Sequence, residues 1–292
     1  MRLLFIRLLC AYVRTSPWDA VRWRFVSYAL RQVRKHGPAI GKARVRTRFG
    51  FTMELHLDDW VDQHIYVTGN YEDMTAMAIA ALLRPGDVSI DVGANVGFFT
   101  LLMATRVGGD GAVWAFEPSP QVRSRLIVNL NLNTARQVTV REEAASNVNG
   151  TRVFFGGSQD HSGIASLRPV QNSSGSYEVR TCRLSSAIPK TMMPHLVKID
   201  VEGAEYLALE GMRELLEAHH PDIILEITDA FLTEMASSPA EVHLFLTSLG
   251  YRMYRIDWDG LTACPSFEAS WPKQFNALFT VRESLPDRLP IR

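Results

Sequence analysis

Asp91, Gly93, Ala94, Asn95 and Gly97, read together with Glu117 and Pro118, are the residues whose types and spacing point most directly to chemistry. Glycines let the main chain take φ > 0 and let a ligand approach backbone that a Cβ would shield. A dinucleotide turn has the pattern G-x-G-x-x-G, with the pyrophosphate seated at a helix N-terminus. Here the run is Gly93-x-x-x-Gly97, and a carboxylate precedes it. An anion at that point repels a pyrophosphate and attracts a cation. S-adenosylmethionine, with its sulfonium and ammonium, suits such a turn. Glu117 follows Gly97 by 20 residues, about the interval at which folds of this kind hold ribose hydroxyls. NAD carries the same ribose, so Glu117 alone does not separate the two cofactors. The plainer reading of these residues is a tight turn followed by a capped strand.

A second set consists of acids and imidazoles. Asp200, Glu202 and Glu226 stand at or just beyond the ends of two apolar runs, His195 to Ile199 and Asp222 to Leu225. The carboxyl ends of strands open into the crevice of an α/β sheet, so these groups are expected on its floor. A hydroxyl acceptor of a methyl group must lose a proton, which calls for a carboxylate or imidazole facing it. Asp200 is the first choice, with Glu202, Glu226, His161 and His64 as further catalytic candidates. Structural roles compete: Asp200 as a helix cap, Glu202 and Glu205 as acids favoured at a helix N-terminus, the histidines as surface residues. Asp200 and Glu226 also have the oxygen chemistry that Mg²⁺ takes, but no third ligand is evident, and no metal is expected.

The elements that must position these residues follow from periodicity. Val88, Ile90 and Val92 read as a buried parallel strand, and Val96 to Val107 as a packed helix. Strands are expected over 112–116, 138–145, 195–200, 222–227, 251–256 and 275–281, and a hairpin over 151–155 and 177–182. Helices are expected over 74–83, 120–133, 203–218 and 239–249. Strands alternating with helices imply a parallel sheet with helices on both faces, closed at one edge by the last two strands as an antiparallel pair. Ahead of this domain, residues 1–57 form a separate region. Met1 to Arg14 is apolar but shorter than the about 20 residues that span a bilayer. Ser16 and Pro17 start a helix that stops at Gly37, with Trp18, Val21, Phe25, Tyr28 and Val33 on one face and five basic residues elsewhere. A hairpin turns at Gly50. Asp58 to Tyr71 and Gly156 to Ser176 read as loops over the ligand site.

Five motifs in order resemble those of the FkbM family of S-adenosylmethionine-dependent methyltransferases: Gly69-x-Tyr71-Glu72, Pro85-Gly86-Asp87, Asp91 to Gly97, Phe116-Glu117-Pro118, and Lys198 to Glu205. The likeness runs from about Gly69 to Ile256. It implies the seven-stranded class I methyltransferase sheet, S-adenosyl-L-methionine as cofactor, and O-methylation of a hydroxyl on a small-molecule or glycan acceptor. It says nothing about the residues before Lys42.

Composition narrows the alternatives. The 292 residues are 47% hydrophobic, and 31 Lys and Arg balance 31 Asp and Glu. The chain can therefore bury a sizeable core, and no overall field argues for nucleic acid. Cys10, Cys182 and Cys264 have no metal or disulfide spacing, which fits a reducing, cytoplasmic setting. The basic helix before Gly37 offers peripheral contact with an anionic membrane. A non-catalytic scaffold or membrane-docking protein on the same fold, and an NAD-dependent oxidoreductase, are the competing functions.

Overall fold

The computed structural model describes residues 2–15, 19–157, 165–170, 173, 175–268 and 270–291, with backbone alone at 2 and 19–23. Ser16, Pro17, Trp18 and His161 lie outside the described residues, as do the side chains of Val21 and Arg22.

Helices α1 (Arg2–Thr15) and α2 (Asp19–Ile40) lead into the hairpin of β1 (Lys42–Arg46) and β2 (Thr52–His56). Ile6, Cys10 and Val13 on α1 and Val26, Ala29 and Val33 on α2 are buried at helical spacing. The single apolar face expected on the second helix is therefore divided. Val33 turns inward, whereas Phe25 and Tyr28 are exposed. The helix also runs past Gly37 to Ile40 with Pro38 inside it. Gly37 packs where a Cβ would overlap the Leu57 carbonyl oxygen, and the chain leaves the helix at Gly41, φ +72°. Next come α3 (Trp60–Thr68) and α4 (Asp73–Leu82). The stretch from Asp58 to Tyr71 is thus largely helical rather than a loop, because Asp59 caps α3 by accepting from the N–H groups of Val61 and Asp62.

The main sheet begins with β3 (Val88–Val92), α5 (Phe98–Val107), β4 (Ala112–Phe116), α6 (Pro120–Leu132) and β5 (Val138–Arg141). The strand expected to reach Ala145 breaks at Glu142–Glu143, where Arg141 and Arg180 bind the two acids. Beyond the break, β6 (Ala144–Ala145) joins β7 (Gly150–Phe155) and β8 (Ser176–Cys182) in a second sheet of order β6-β8-β7. A short helix α7 (Leu184–Ala187) precedes β9 (Leu196–Ile199). The next helix is split into α8 (Glu205–Gly211) and α9 (Arg213–His219), and at the end of α8 Gly211 packs where a side chain would meet the Ser146 carbonyl. The chain ends with β10 (Asp222–Thr228), α10 (Asp229–Glu234), α11 (Pro239–Ser248), β11 (Arg252–Asp257), β12 (Gly260–Ala263) and β13 (Gln274–Thr280).

The large sheet has eight strands in the order β12-β11-β13-β10-β9-β3-β4-β5, and its five-strand half from β10 to β5 is parallel. The additional strand, β12, hairpins onto β11. The last strand does not close an edge. β13 pairs antiparallel with both β10 and β11, since Phe275, Ala277, Leu278 and Phe279 need cover on both faces. Side chains on a strand point alternately to opposite faces. Accordingly Ile224 and Leu278 join one core with α4, α5 and α6, while Ile223, Leu225 and Phe279 join the other with α8, α9 and α11. This is an α/β sheet, mostly parallel, with helices on both faces. The core beneath α1, α2 and the hairpin is continuous with the one beneath α4 and α5, so the boundary at residue 57 divides the chain without dividing its interior.

Candidate functional site

The carboxyl ends of β3, β4, β9 and β10 open into one cavity of about 1260 Å³. Drug-sized ligands fill about 300–1,000 Å³, so the space exceeds the needs of a single small molecule. Gly93, Ala94, Asn95, Glu117 and Pro118 line it on one side, and Asp200, Glu202, Glu226 and His64 elsewhere. Members of both sets read from the sequence therefore share one enclosure.

Gly93 has φ +82°, and a Cβ there would overlap the carbonyl oxygen of Asp200. The turn after β3 is thus seated directly on the end of β9, and only glycine permits it. Asn95 donates its backbone N–H to Glu117 Oε2 at 2.9 Å, and Ser119 donates to Oε1 at 2.9 Å. Burial pushes the Glu117 carboxyl up to about 7, although those two N–H groups pull the other way. Asn95 Oδ1 is buried without a hydrogen-bond partner. A polar atom left so invites a donor from outside the chain. Asn95 Oδ1 and the Glu117 carboxyl thus stand side by side as oxygen acceptors on one wall of the cavity.

Two of the residues expected to bind cofactor lie behind the wall. Gly97 packs on Leu126 of α6, where a side chain would collide. Asp91 is fully buried, and Thr100 donates to its Oδ2 at 2.5 Å. Its other oxygen has no hydrogen-bond partner. Asp91 therefore does not line the cavity but holds α5 through Thr100. Its cross-strand partner in the β3–β9 register is Lys198, which sequence reasoning passed over. Lys198 is buried, ion-paired to Asp200 at 2.9 Å, and sits 4.7 Å from the centre of the Phe99 ring. Burial alone would lower its pKa, but Asp200, Asp91 and Glu72 outweigh that and raise it. The available signal was a lysine inside the apolar run Leu196-Val-Lys-Ile199, where a cation must find acids.

The floor is crowded with acids. Oxygens of Asp200, Glu202 and Glu226 lie within 4.8 Å of one another. Such a donor set is the third-ligand arrangement that sequence alone did not reveal, and its chemistry suits a hard divalent cation. Gln274 donates to Glu226 Oε1 at 2.8 Å. Burial, then the charges of Asp200 and Glu202 and a hydrogen bond with Asp200, hold Glu226 well above the usual carboxylate range. Burial and Asp200 likewise push Glu202 up to about 8. Glu202 is set in position by a left-handed backbone, φ +55°, and its carbonyl accepts from Ser166 Oγ and Arg168 Nε. Glu205 does not join the floor. It accepts from the N–H groups of Val201 and Gly203 and so closes the turn before α8. Glu72 is a further wall residue that the catalytic candidates omitted; Asn276 donates to it at 2.9 Å.

His64 lies on α3 and not on a loop. Its ring is 4.0 Å from that of Trp60, and Nδ1 is 2.9 Å from the Trp60 carbonyl oxygen. With Nδ1–H donating there, Nε2 is left as the acceptor. Tyr71 extends the wall through ring contacts with Trp60, Phe98 and Phe99.

Comparison with known proteins adds the following. A family model described as "Methyltransferase FkbM domain" matches residues 91–253. The chain is 31% identical over 138 residues to the hexuronic acid methyltransferase AglP of Haloferax volcanii, covering 45% of this chain and 52% of that protein. It is 29% identical over 214 residues to the AMB antimetabolite synthetase AmbE of Pseudomonas aeruginosa, covering 61% of this chain and 10% of that protein. The chain thus spans from a tenth to about half the length of these curated relatives. Among solved structures it is similar to the methyltransferase FkbM from Methylobacillus flagellatus KT, at 16% identity and a TM-score of 0.44, covering 76% of this chain and 53% of that one.

Proposed function

As the chain belongs to the family defined by the methyltransferase FkbM domain, we propose that it transfers a methyl group from S-adenosylmethionine to a hydroxyl of a small-molecule or glycan acceptor. One observation carries this reading: the glycine turn, with the unpartnered Asn95 Oδ1 beside Glu117, and the acid floor line a single cavity of about 1260 Å³. When bound, the cofactor supplies a methyl group on a cationic sulfur.

The chain's own residues would do the following. Glu117 accepts from ribose hydroxyls, Asn95 Oδ1 takes a further donor, and the buried Asp91 favours a cationic ligand over a pyrophosphate. The larger catalytic contribution is placement of the acceptor oxygen with water excluded. Asp200 is the general base. Lys198 and the hydrogen bond with Glu226 fix its carboxylate, and it stands at the end of β9 beside the glycine turn. His64, which lines the same cavity, is assigned the binding or orienting of the acceptor. The similarity to a hexuronic acid methyltransferase supports a sugar hydroxyl as the first acceptor class to screen.

The test is calorimetric binding of S-adenosylmethionine, followed by transfer of a labelled methyl group to hydroxylated acceptors. Asp200→Asn is expected to keep cofactor affinity and lose roughly 100-fold or more in kcat. Glu117→Ala is expected to lose cofactor affinity. Absence of cofactor binding by the wild type sinks the reading. The three clustered carboxylates favour one second reading, in which a divalent cation orients the acceptor oxygen. Heat on titrating MgCl₂ that Glu202→Gln abolishes supports that variant; no heat leaves Asp200 as the base.

A further inference from the structure

We propose that α1 and α2 form a docking face for an anionic lipid surface. The first observation is that α1 is apolar on the side turned away from the core as well as on the side turned toward it. Ile6, Cys10 and Val13 are buried, while Leu4 and Leu8 on the opposite side are each 62% exposed and Phe5 is 54% exposed. A second apolar stripe left exposed on a helix that also carries Arg7 is what a helix lying in a membrane interface presents. Leu4, Leu8 and Tyr12 follow at four-residue steps, so they form one stripe. Tyr12 meets Phe25 of α2 edge-on, with ring centres 6.0 Å apart. Through that contact the stripe continues to the exposed Phe25 and Tyr28.

The second observation is charge. Residues 1–50 hold 12 Lys and Arg against one acid, Asp19, which leaves 19 against 30 for the rest of the chain. The neutral protein is therefore split into a region of net +11 and a remainder of net −11. Arg7, Arg24, Arg31, Arg34 and Lys35 are exposed around the apolar stripe. Each basic residue close to an anionic bilayer strengthens binding by about fivefold. A second copy of this chain is a poorer occupant, since it would bring a second basic helix pair against the first. No helix among the described residues is long and apolar enough to cross a membrane, which fits a helix pair lying in the interface. Because α2 also supplies Val26 and Leu30 to the cavity wall, docking would place the cavity beside the lipid.

The test is co-sedimentation of the full chain with phosphatidylglycerol–phosphatidylcholine vesicles and with phosphatidylcholine alone, at low and high salt. Binding is expected only to the anionic vesicles, falling steeply with salt. Leu4→Ser with Leu8→Ser is expected to weaken it roughly tenfold or more, with an unchanged circular-dichroism melt. Should that variant fail to fold, Arg31→Gln with Arg34→Gln and Lys35→Gln changes exposed residues only and is expected to weaken it comparably. No sedimentation of the wild type with anionic vesicles overturns the proposal. Equal binding to both vesicle types, or light scattering that shows a dimer lost in the Leu4→Ser, Leu8→Ser variant, does so as well.

Discussion

Glu117 and Lys198 show how burial converts ordinary charged residues into instruments of a site. With its carboxyl raised to about 7, Glu117 is a strong, charged acceptor for a ligand's hydroxyls only once it has given up its proton. Cofactor affinity is therefore expected to rise about tenfold per pH unit up to about pH 7 and then level off. Calorimetry between pH 5.5 and 8 reads this slope, and Glu117→Gln should bind weakly without it. Lys198 balances Asp91, Asp200 and Glu72. Replacing it with Met leaves acids buried without their cation, at an expected cost of about 3–5 kcal/mol. Urea unfolding would measure the loss; a change below 1 kcal/mol would mean that the acids are protonated without it. Glu117 was legible from its interval after the glycine turn. For Lys198 the apolar run around it signalled only that it needs acids; that Asp91 is among them is known only from the strand register.

Among elements, the hairpin of β1 and β2 is held to the domain by a device that periodicity does not display. Asn129 and Asn133, four apart on or just past α6, serve the open edge of β2 as a neighbouring strand would. Glu54 N–H donates to Asn129 Oδ1 at 2.7 Å, Thr52 N–H to Asn133 Oδ1 at 2.8 Å, and Asn133 Nδ2 returns a bond to the Thr52 carbonyl at 2.6 Å. Asn129 also donates to the Val96 carbonyl at 2.9 Å, in the turn that lines the cavity. Asn129→Leu is expected to cost about 1–3 kcal/mol by stranding two backbone groups, and to weaken cofactor binding through Val96. Thermal melts with and without cofactor would separate the two effects; equal losses in both would confine Asn129 to stability. At this scale strands and helices were legible from alternation and helical spacing. The break at Glu142–Glu143 was not, because Arg180, which binds Glu142, comes from a distant segment.

For the whole molecule, buried acids make stability depend on pH in an unusual direction. Burial raises both Glu117 and Glu205 to about 7. Between the unfolded carboxylate range near 4.3 and about 7 the folded state therefore binds more protons than the unfolded one. Stability is then lost as pH rises through that window, by up to about 1.4 kcal/mol per unit for each group. Urea midpoints of the ligand-free chain should fall from pH 5.5 to pH 7.5, and Glu205→Gln should flatten the slope. A midpoint that rises over that range would contradict it.

The sequence by itself determined the glycine turn, the strand ends that carry Glu117, Asp200 and Glu226, and the alternating order of the main sheet, because these depend on local spacing and on the two- and 3.6-residue periods. Its five motifs also announced the family. Tertiary structure decided which of those residues face the cavity and which, like Asp91 and Gly97, stand behind it. It also decided that Glu202 meets Asp200 and Glu226, that β13 enters the sheet interior, and that α1 keeps an apolar face outside. Each of those outcomes depends on what another part of the chain places opposite a residue, and local spacing carries no record of that.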